Sequence, residues 1–168
     1  LRFVEMMGGR INIESEPGVG SCFTVSLPDI RPMIHEDISQ GDGPLILVIE
    51  DNPSDQSLLV RELTRSGYKF EVAHDGVKGM AIAHESCPAA IILDIEMPGM
   101  DGYQVLKALN ADEQLRPVPV IVVTAHDVRH IVTTLGASYF LAKPIDREAL
   151  HQTLSECCEY FSQLAASA

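Results

Sequence analysis

The chain has 168 residues, enough for one well-packed core or for one domain plus a fragment of another. Its 12 Lys and Arg stand against 24 Asp and Glu, a net charge of −12 that repels nucleic acid and anionic membrane and suits bound cations or basic partner surfaces. No apolar run approaches the roughly 18 residues that span a bilayer. The opening LRFVEMMGGR has neither signal-peptide anatomy nor an initiator Met, so a soluble, cytoplasmic excerpt of a longer protein is expected, without direct membrane contact.

Residues 1 to 7 carry Leu1, Val4 and Met7 at helical spacing, and Gly8-Gly9 makes a helix stop. RINIESEPGVGSCFTVSLP then alternates through Ile11 and Ile13, turns at EPGVG, and alternates again through Phe23, Val25 and Leu27, the pattern of a hairpin. One helix and one hairpin bury too little apolar area to stand alone, so residues 1–28 are expected to be the end of a domain whose body lies upstream. Residues 29–43 mix Pro, Gly and acids without periodicity and read as a linker.

From residue 44 the character changes. LILVIED, FEVAHD, AAIILD, VPVIVVTA and SYFLAK alternate with helical stretches at about 54–66, 76–86, 102–110, 127–135 and 146–164. Continuous apolar runs predict strands covered on both faces, and strict alternation with helices predicts a parallel sheet with right-handed crossovers. The expected fold over 44–165 is therefore α/β, a doubly wound (βα)5 parallel sheet. Leu150, Leu154, Cys157, Phe161 and Leu164 fall on one stripe of the last helix.

In such sheets chemistry collects at the carboxyl ends of the strands. Those ends read Glu50-Asp51, Asp94, Thr124 and Lys143-Pro144, and they gather acids, a hydroxyl and an ammonium from more than ninety residues of sequence. Carboxylates this close raise one another's pKa unless a cation joins them. Hard oxygen donors in small number suit Mg2+ (or Mn2+), with the backbone carbonyl of Glu96 as a further oxygen. With that charge balanced, Asp94 can act as a nucleophile toward a phosphoryl group, while Thr124 and Lys143 pair with its oxygens.

The motifs VIED, LDIEMPGMDG, VVTA and FLAKP, in this order, resemble those of the response-regulator receiver domain of two-component signalling, a flavodoxin-like fold. The resemblance implies that Asp94 is the phosphoacceptor and that Glu50 and Asp51 are the metal-binding acid pair. It also makes Thr124 the switch hydroxyl, Phe140 the aromatic switch residue and Lys143 the phosphate-pairing lysine, followed by a cis peptide before Pro144. FVEMMGGRINIESEPGVGSCFTVSLP resembles the end of a histidine-kinase ATP-binding domain, so the two parts together imply a fragment of a hybrid sensor histidine kinase. The nucleotide-binding boxes and the phosphodonor histidine of such a protein are not in this sequence. The implied partners are a histidine-kinase core or a histidine phosphotransfer domain; nucleic acid is not among them, and the oligomeric state stays open.

Other features read more plainly. Cys22, Cys87, Cys157 and Cys158 lack metal-ligand spacing and are expected to be reduced packing residues. His35, His74, His84, His126, His130 and His151 are scattered and read as surface or loop residues. Glu96 and His126 stand two residues beyond Asp94 and Thr124, positions that in receivers face the phosphoryl group. TAHDVRHIVTTLGASYFLAK is about three residues shorter than the resemblance leads one to expect, which shortens the fourth helix and favours a relay store over a dimerising switch. Two other readings fit the residues less well. A haloacid-dehalogenase-like phosphatase needs its nucleophile after the first strand, and a phosphorylation-independent docking module has no need of the complete acid, Thr and Lys set.

Overall fold

The apolar runs become strands because β-branched side chains pack well on a pleated surface and each run is bounded by turn formers. The computed structural model describes residues 10–16, 20–26, 41–126 and 128–166. The helix expected at 1–7, residues 17–19 of the EPGVG turn and residues 29–40 of the linker expected over 29–43 lie outside the described residues. The chain divides into two compact units, Leu1–His35 and Glu36–Ala168. In the first, β1 (Arg10–Glu16) and β2 (Gly20–Ser26) pair antiparallel, with Ile11 opposite Val25 and Ile13 opposite Phe23. The hairpin pattern of the sequence is thus present.

The second unit carries β3 (Leu45–Ile49), β4 (Lys69–Ala73), β5 (Ala90–Asp94), β6 (Val120–Thr124) and β7 (Tyr139–Ala142) in the spatial order β4-β3-β5-β6-β7. Every neighbouring pair in this sheet is parallel. Between the strands run α1 (Pro53–Arg65), α2 (Gly76–Ser86), α3 (Gly102–Ala111) and α4 (Arg129–Thr134), and α5 (Arg147–Ala166) follows the last strand. This is the doubly wound (βα)5 parallel sheet expected from the alternation, in the flavodoxin-like form that the resemblance implies.

Successive residues of the central strands feed opposite faces. Ile46, Val48, Ile92, Ile121 and Val123 pack with Leu59 and Leu63 of α1 and Leu150 and Leu154 of α5. Leu47, Ile49, Ile91, Leu93 and Val122 pack on the other face with Ala83 of α2, Val105, Leu106 and Leu109 of α3, and Val132 of α4. Each fully buried Ile or Leu contributes about 1.5–3 kcal/mol by leaving water, so these two layers hold the sheet rigid.

One expectation is corrected by the strand burial. Coverage on both faces holds for β3, β5 and β6, but β4 alternates toward solvent and β7 is only partly covered. They are the outermost strands of the order β4-β3-β5-β6-β7, with no further strand paired beyond them among the described residues. Cys157 and Cys158 are both buried in the α1/α5 layer, as packing residues.

Helix starts are set locally. Asn52 Oδ1 accepts from the backbone N–H of Ser54 at 2.9 Å and of Asp55 at 3.4 Å, and Pro53 opens α1. Asp75, Asp101 and Asp146 cap α2, α3 and α5 in the same way. Val128 precedes α4 and has no side-chain oxygen to offer, and that helix has six residues.

Candidate functional site

Asp94 is the last residue of the central strand β5, and its carboxylate is 4% exposed. A buried carboxylate is costly unless its oxygens are satisfied. Here Oδ1 accepts from the backbone N–H of Glu96 at 3.2 Å, and Oδ2 accepts from Lys143 Nζ at 2.9 Å. The loop beyond it turns away at Gly99, whose φ of +80° lies in the left-handed region that favours glycine. Helix α3 then starts so close to the strand end that a Cβ at Gly102 would overlap the backbone carbonyl of Asp94. The acid is thus held in a fixed place at the carboxyl end of the central strand.

Glu50 and Asp51 follow β3, the strand hydrogen-bonded beside β5. Carboxylate oxygens of Glu50, Asp51 and Asp94 lie within 4.8 Å of one another, a grouping able to hold a metal ion. Glu50 is 1% exposed. Burial pushes its pKa from the ordinary value to about 7; the Asp94 charge adds to this, while the Lys143 and Asn52 hydrogen bonds oppose it. A divalent cation would relieve this strain on ionisation, and an all-oxygen, mostly anionic donor set is the kind Mg2+ takes. The residues therefore fit the ion.

Lys143 follows β7, and its peptide bond to Pro144 is cis. Its backbone N–H donates to the Thr124 carbonyl at 2.9 Å, which ties the ends of β6 and β7 together. Nζ donates to Glu50 Oε2 at 2.9 Å, Asp94 Oδ2 at 2.9 Å and Asp55 Oδ2 at 2.7 Å. Burial alone would lower the Lys143 pKa, but its bonds to Asp55, Glu50 and Asp94 together hold it above the ordinary lysine value. The ammonium stays charged throughout the neutral range.

Thr124 ends β6 with 1% exposure, and its Oγ1 accepts from the His126 backbone N–H at 3.3 Å. His126 Nε2 reaches Glu96 Oε1 at 2.7 Å, so the side chains two residues beyond Asp94 and Thr124 meet each other across the mouth of the site, both largely exposed. Phe140 in β7 is half-buried, and the Arg129 guanidinium lies over its ring, 5.0 Å from the centroid. The structure thus brings Glu50, Asp51, Asp94 and Lys143 into one cluster, with Thr124 and Glu96 at its rim and Phe140 in β7, two strands from Asp94.

Two neighbours, Asp55 and Gln56, escaped the sequence reading. Asp55 stands four residues after Asp51, one turn into α1, where the NPSD stretch looks like a helix cap and nothing more. Gln56, 1% exposed, donates from Nε2 to the Glu50 backbone carbonyl and sits 2.6 Å from His74 Nδ1. These contacts join α1 to the loops after β3 and β4 and have no sequence motif. Among the described residues no helix is long and apolar enough to cross a membrane.

Comparison with known proteins agrees with the geometry. Protein PilH of Pseudomonas aeruginosa is 33% identical over 113 residues, covering 66% of this chain and 93% of PilH. The sensor protein EvgS of Escherichia coli is 29% identical over 164 residues, covering 91% of this chain but only 14% of EvgS. Among solved structures, the receiver domain of the sensor histidine kinase PA1611 from Pseudomonas aeruginosa superposes with a TM-score of 0.66 at 32% identity, over 70% of this chain and 98% of that one, and it carries a magnesium ion coordinated in its active site cleft. Residues 46–155 match the model of the response regulator receiver domain, and with the acidic strand ends, the lysine and the fold all in agreement, the chain belongs to that family of two-component signalling domains.

Proposed function

We infer that this chain is the phosphoacceptor receiver of a hybrid sensor histidine kinase, taking a phosphoryl group from a phosphohistidine onto Asp94 and passing it on in a phosphorelay. The observation that carries the reading is Lys143 Nζ within 2.9 Å of Asp94 Oδ2, beside a trio of carboxylates grouped within 4.8 Å. A lone capping Asp needs neither neighbour.

In the transfer, an Asp94 carboxylate oxygen attacks phosphorus, the new O–P bond forms as the P–N bond breaks, and its electron pair returns to the donor imidazole. Glu50, Asp51, Asp94 and the Glu96 carbonyl would hold Mg2+ or Mn2+, which when bound would supply positive charge against the acids and the phosphoryl oxygens. Lys143 balances a phosphoryl oxygen, and the Thr124 hydroxyl donates to another. That contact would draw on Thr124, and Phe140 with its stacked Arg129 is placed to register the change. Positioning and electrostatics do the catalysis, so the chain promotes its own phosphorylation without a separate kinase activity.

Two observations favour the hybrid context. The EvgS alignment reaches well outside the receiver match at 46–155, and the hairpin β1–β2 has the form expected of the last strands of a kinase ATP-binding domain. In that reading residues 1–28 are the remnant of that domain, 29–43 the linker and 44–165 the receiver. The partners are a histidine-kinase core or a histidine phosphotransfer domain. The six residues of α4 favour a relay store over dimerisation through that helix.

Intact mass spectrometry after incubation with Mg2+ and acetyl phosphate tests the reading. A single phosphoryl adduct is expected in the chain and none in Asp94→Asn. An adduct that persists in Asp94→Asn, or none in either protein, overturns it.

A further inference from the structure

We propose that Asp55 is a positioning residue that competes with the phosphoryl group for Lys143 and thereby limits how firmly the chain retains it. The proposal rests on the phosphoacceptor reading above and concerns a residue outside the metal trio.

A lysine ammonium has three N–H groups. All of them are committed here, to Glu50, Asp94 and Asp55, and the Asp55 bond is the shortest at 2.7 Å. A phosphoryl oxygen that pairs with Lys143 has to displace one acceptor. Glu50 is 1% exposed and is held from another side by the Asn52 backbone N–H at 3.0 Å. Asp94 carries the incoming group and is itself 4% exposed. Asp55 is neither: it stands in the first turn of α1, its side chain is 33% exposed, and it can turn to water.

The exchange costs the phosphorylated state a short charge-assisted bond that the unphosphorylated state keeps. Glu50, Asp51, Asp55 and Asp94 already outnumber the one ammonium of Lys143. Asp55 therefore shifts the balance toward release, which suits a domain that hands its phosphoryl group to another histidine.

The test is binding of beryllofluoride, a phosphoryl mimic, to the full 168-residue chain at saturating Mg2+, read by fluorine NMR. The isosteric Asp55→Asn is expected to bind it about three- to tenfold tighter, the size of a partly exposed ion pair. In a Lys143→Met background the same substitution is expected to give no gain, because there is no ammonium to compete for. Mg2+ affinity, titrated alone, is expected to stay level or fall in Asp55→Asn, whereas a merely loosened site would weaken Mg2+ and beryllofluoride together. No tightening in Asp55→Asn while the wild type binds, or an equal gain without Lys143, overturns the competition. Failure of the wild type to bind beryllofluoride overturns the phosphoacceptor reading as well.

Discussion

Helix α1 meets the segment after β7 at two ion clusters, and they are mirror images in charge. Near its start, Asp55 joins Glu50 and Asp94 around one lysine, Lys143. Seven residues and about two turns later, the buried Glu62 is surrounded by Arg61, Arg65 and Arg147 at 3.3–3.4 Å. At Glu62 the single buried charge is an acid whose arginine partners are each half exposed, so water shares the excess positive charge and the cluster is complete as it stands. At Lys143 the excess is acidic and lies mostly below the surface, with Glu50 and Asp94 almost fully covered. Water cannot discharge it. One cluster fastens two helices, and the other is chemically unfinished and open to a cation and a phosphoryl group.

The comparison is broken most sharply at Lys143. Lys143→Met is expected to weaken beryllofluoride binding by about a hundredfold, the usual loss when a positioned electrostatic donor is removed from a reacting group, measured by fluorine NMR at saturating Mg2+. A loss of under about threefold would place the lysine outside the chemistry.

The next effect separates the clusters by pH. The folded-state pKa of Glu50 is raised to about 7, so this group's contribution to stability is fully present below its ordinary value and is lost as pH rises through about 7. Thermal melts in chelator are expected to fall between about pH 5 and about pH 8, with Mg2+ restoring the upper end. Glu50→Gln removes both the slope from this group and much of the Mg2+ response. A melt that is equally pH-dependent in Glu50→Gln would assign the slope to another group.

At the other cluster the expected changes are in stability alone. Glu62→Gln leaves the arginines half in water and is expected to cost about 1–2 kcal/mol in urea unfolding, with beryllofluoride affinity unchanged. Arg65→Ala, which removes one exposed partner, is expected to cost about 0.5 kcal/mol or less. A large loss of phosphoryl-mimic binding in Glu62→Gln would show that the two clusters are coupled through α1.

Much of the site was legible because its residues end apolar runs. Asp94 after AAIIL and Glu50-Asp51 after LILVI could be placed at one edge once the strands were called parallel. Asp55 was not legible, since in NPSD it has the form of a first-turn helix acid, and only the arrival of Lys143 from 88 residues away gives it another role. The Gln56 bridge from α1 to His74 and the His126 contact to Glu96 between two loops also join segments distant in the chain, invisible to local pattern. The exposed edges β4 and β7 were misjudged for a similar reason: an apolar run specifies a strand but not its position in the sheet order.

What the sequence determined by itself is the alternation of strands and helices, the acid, hydroxyl and lysine at the strand ends, and the turn formers that follow Asp94, because each of these depends on residue type and local spacing. Only the tertiary structure decided which carboxylates share Lys143, how deeply Glu50 is buried and which strands lie at the edges. Those depend on which segments distant in the chain come within about 3 Å, and hydrogen bonding and desolvation act over that distance alone.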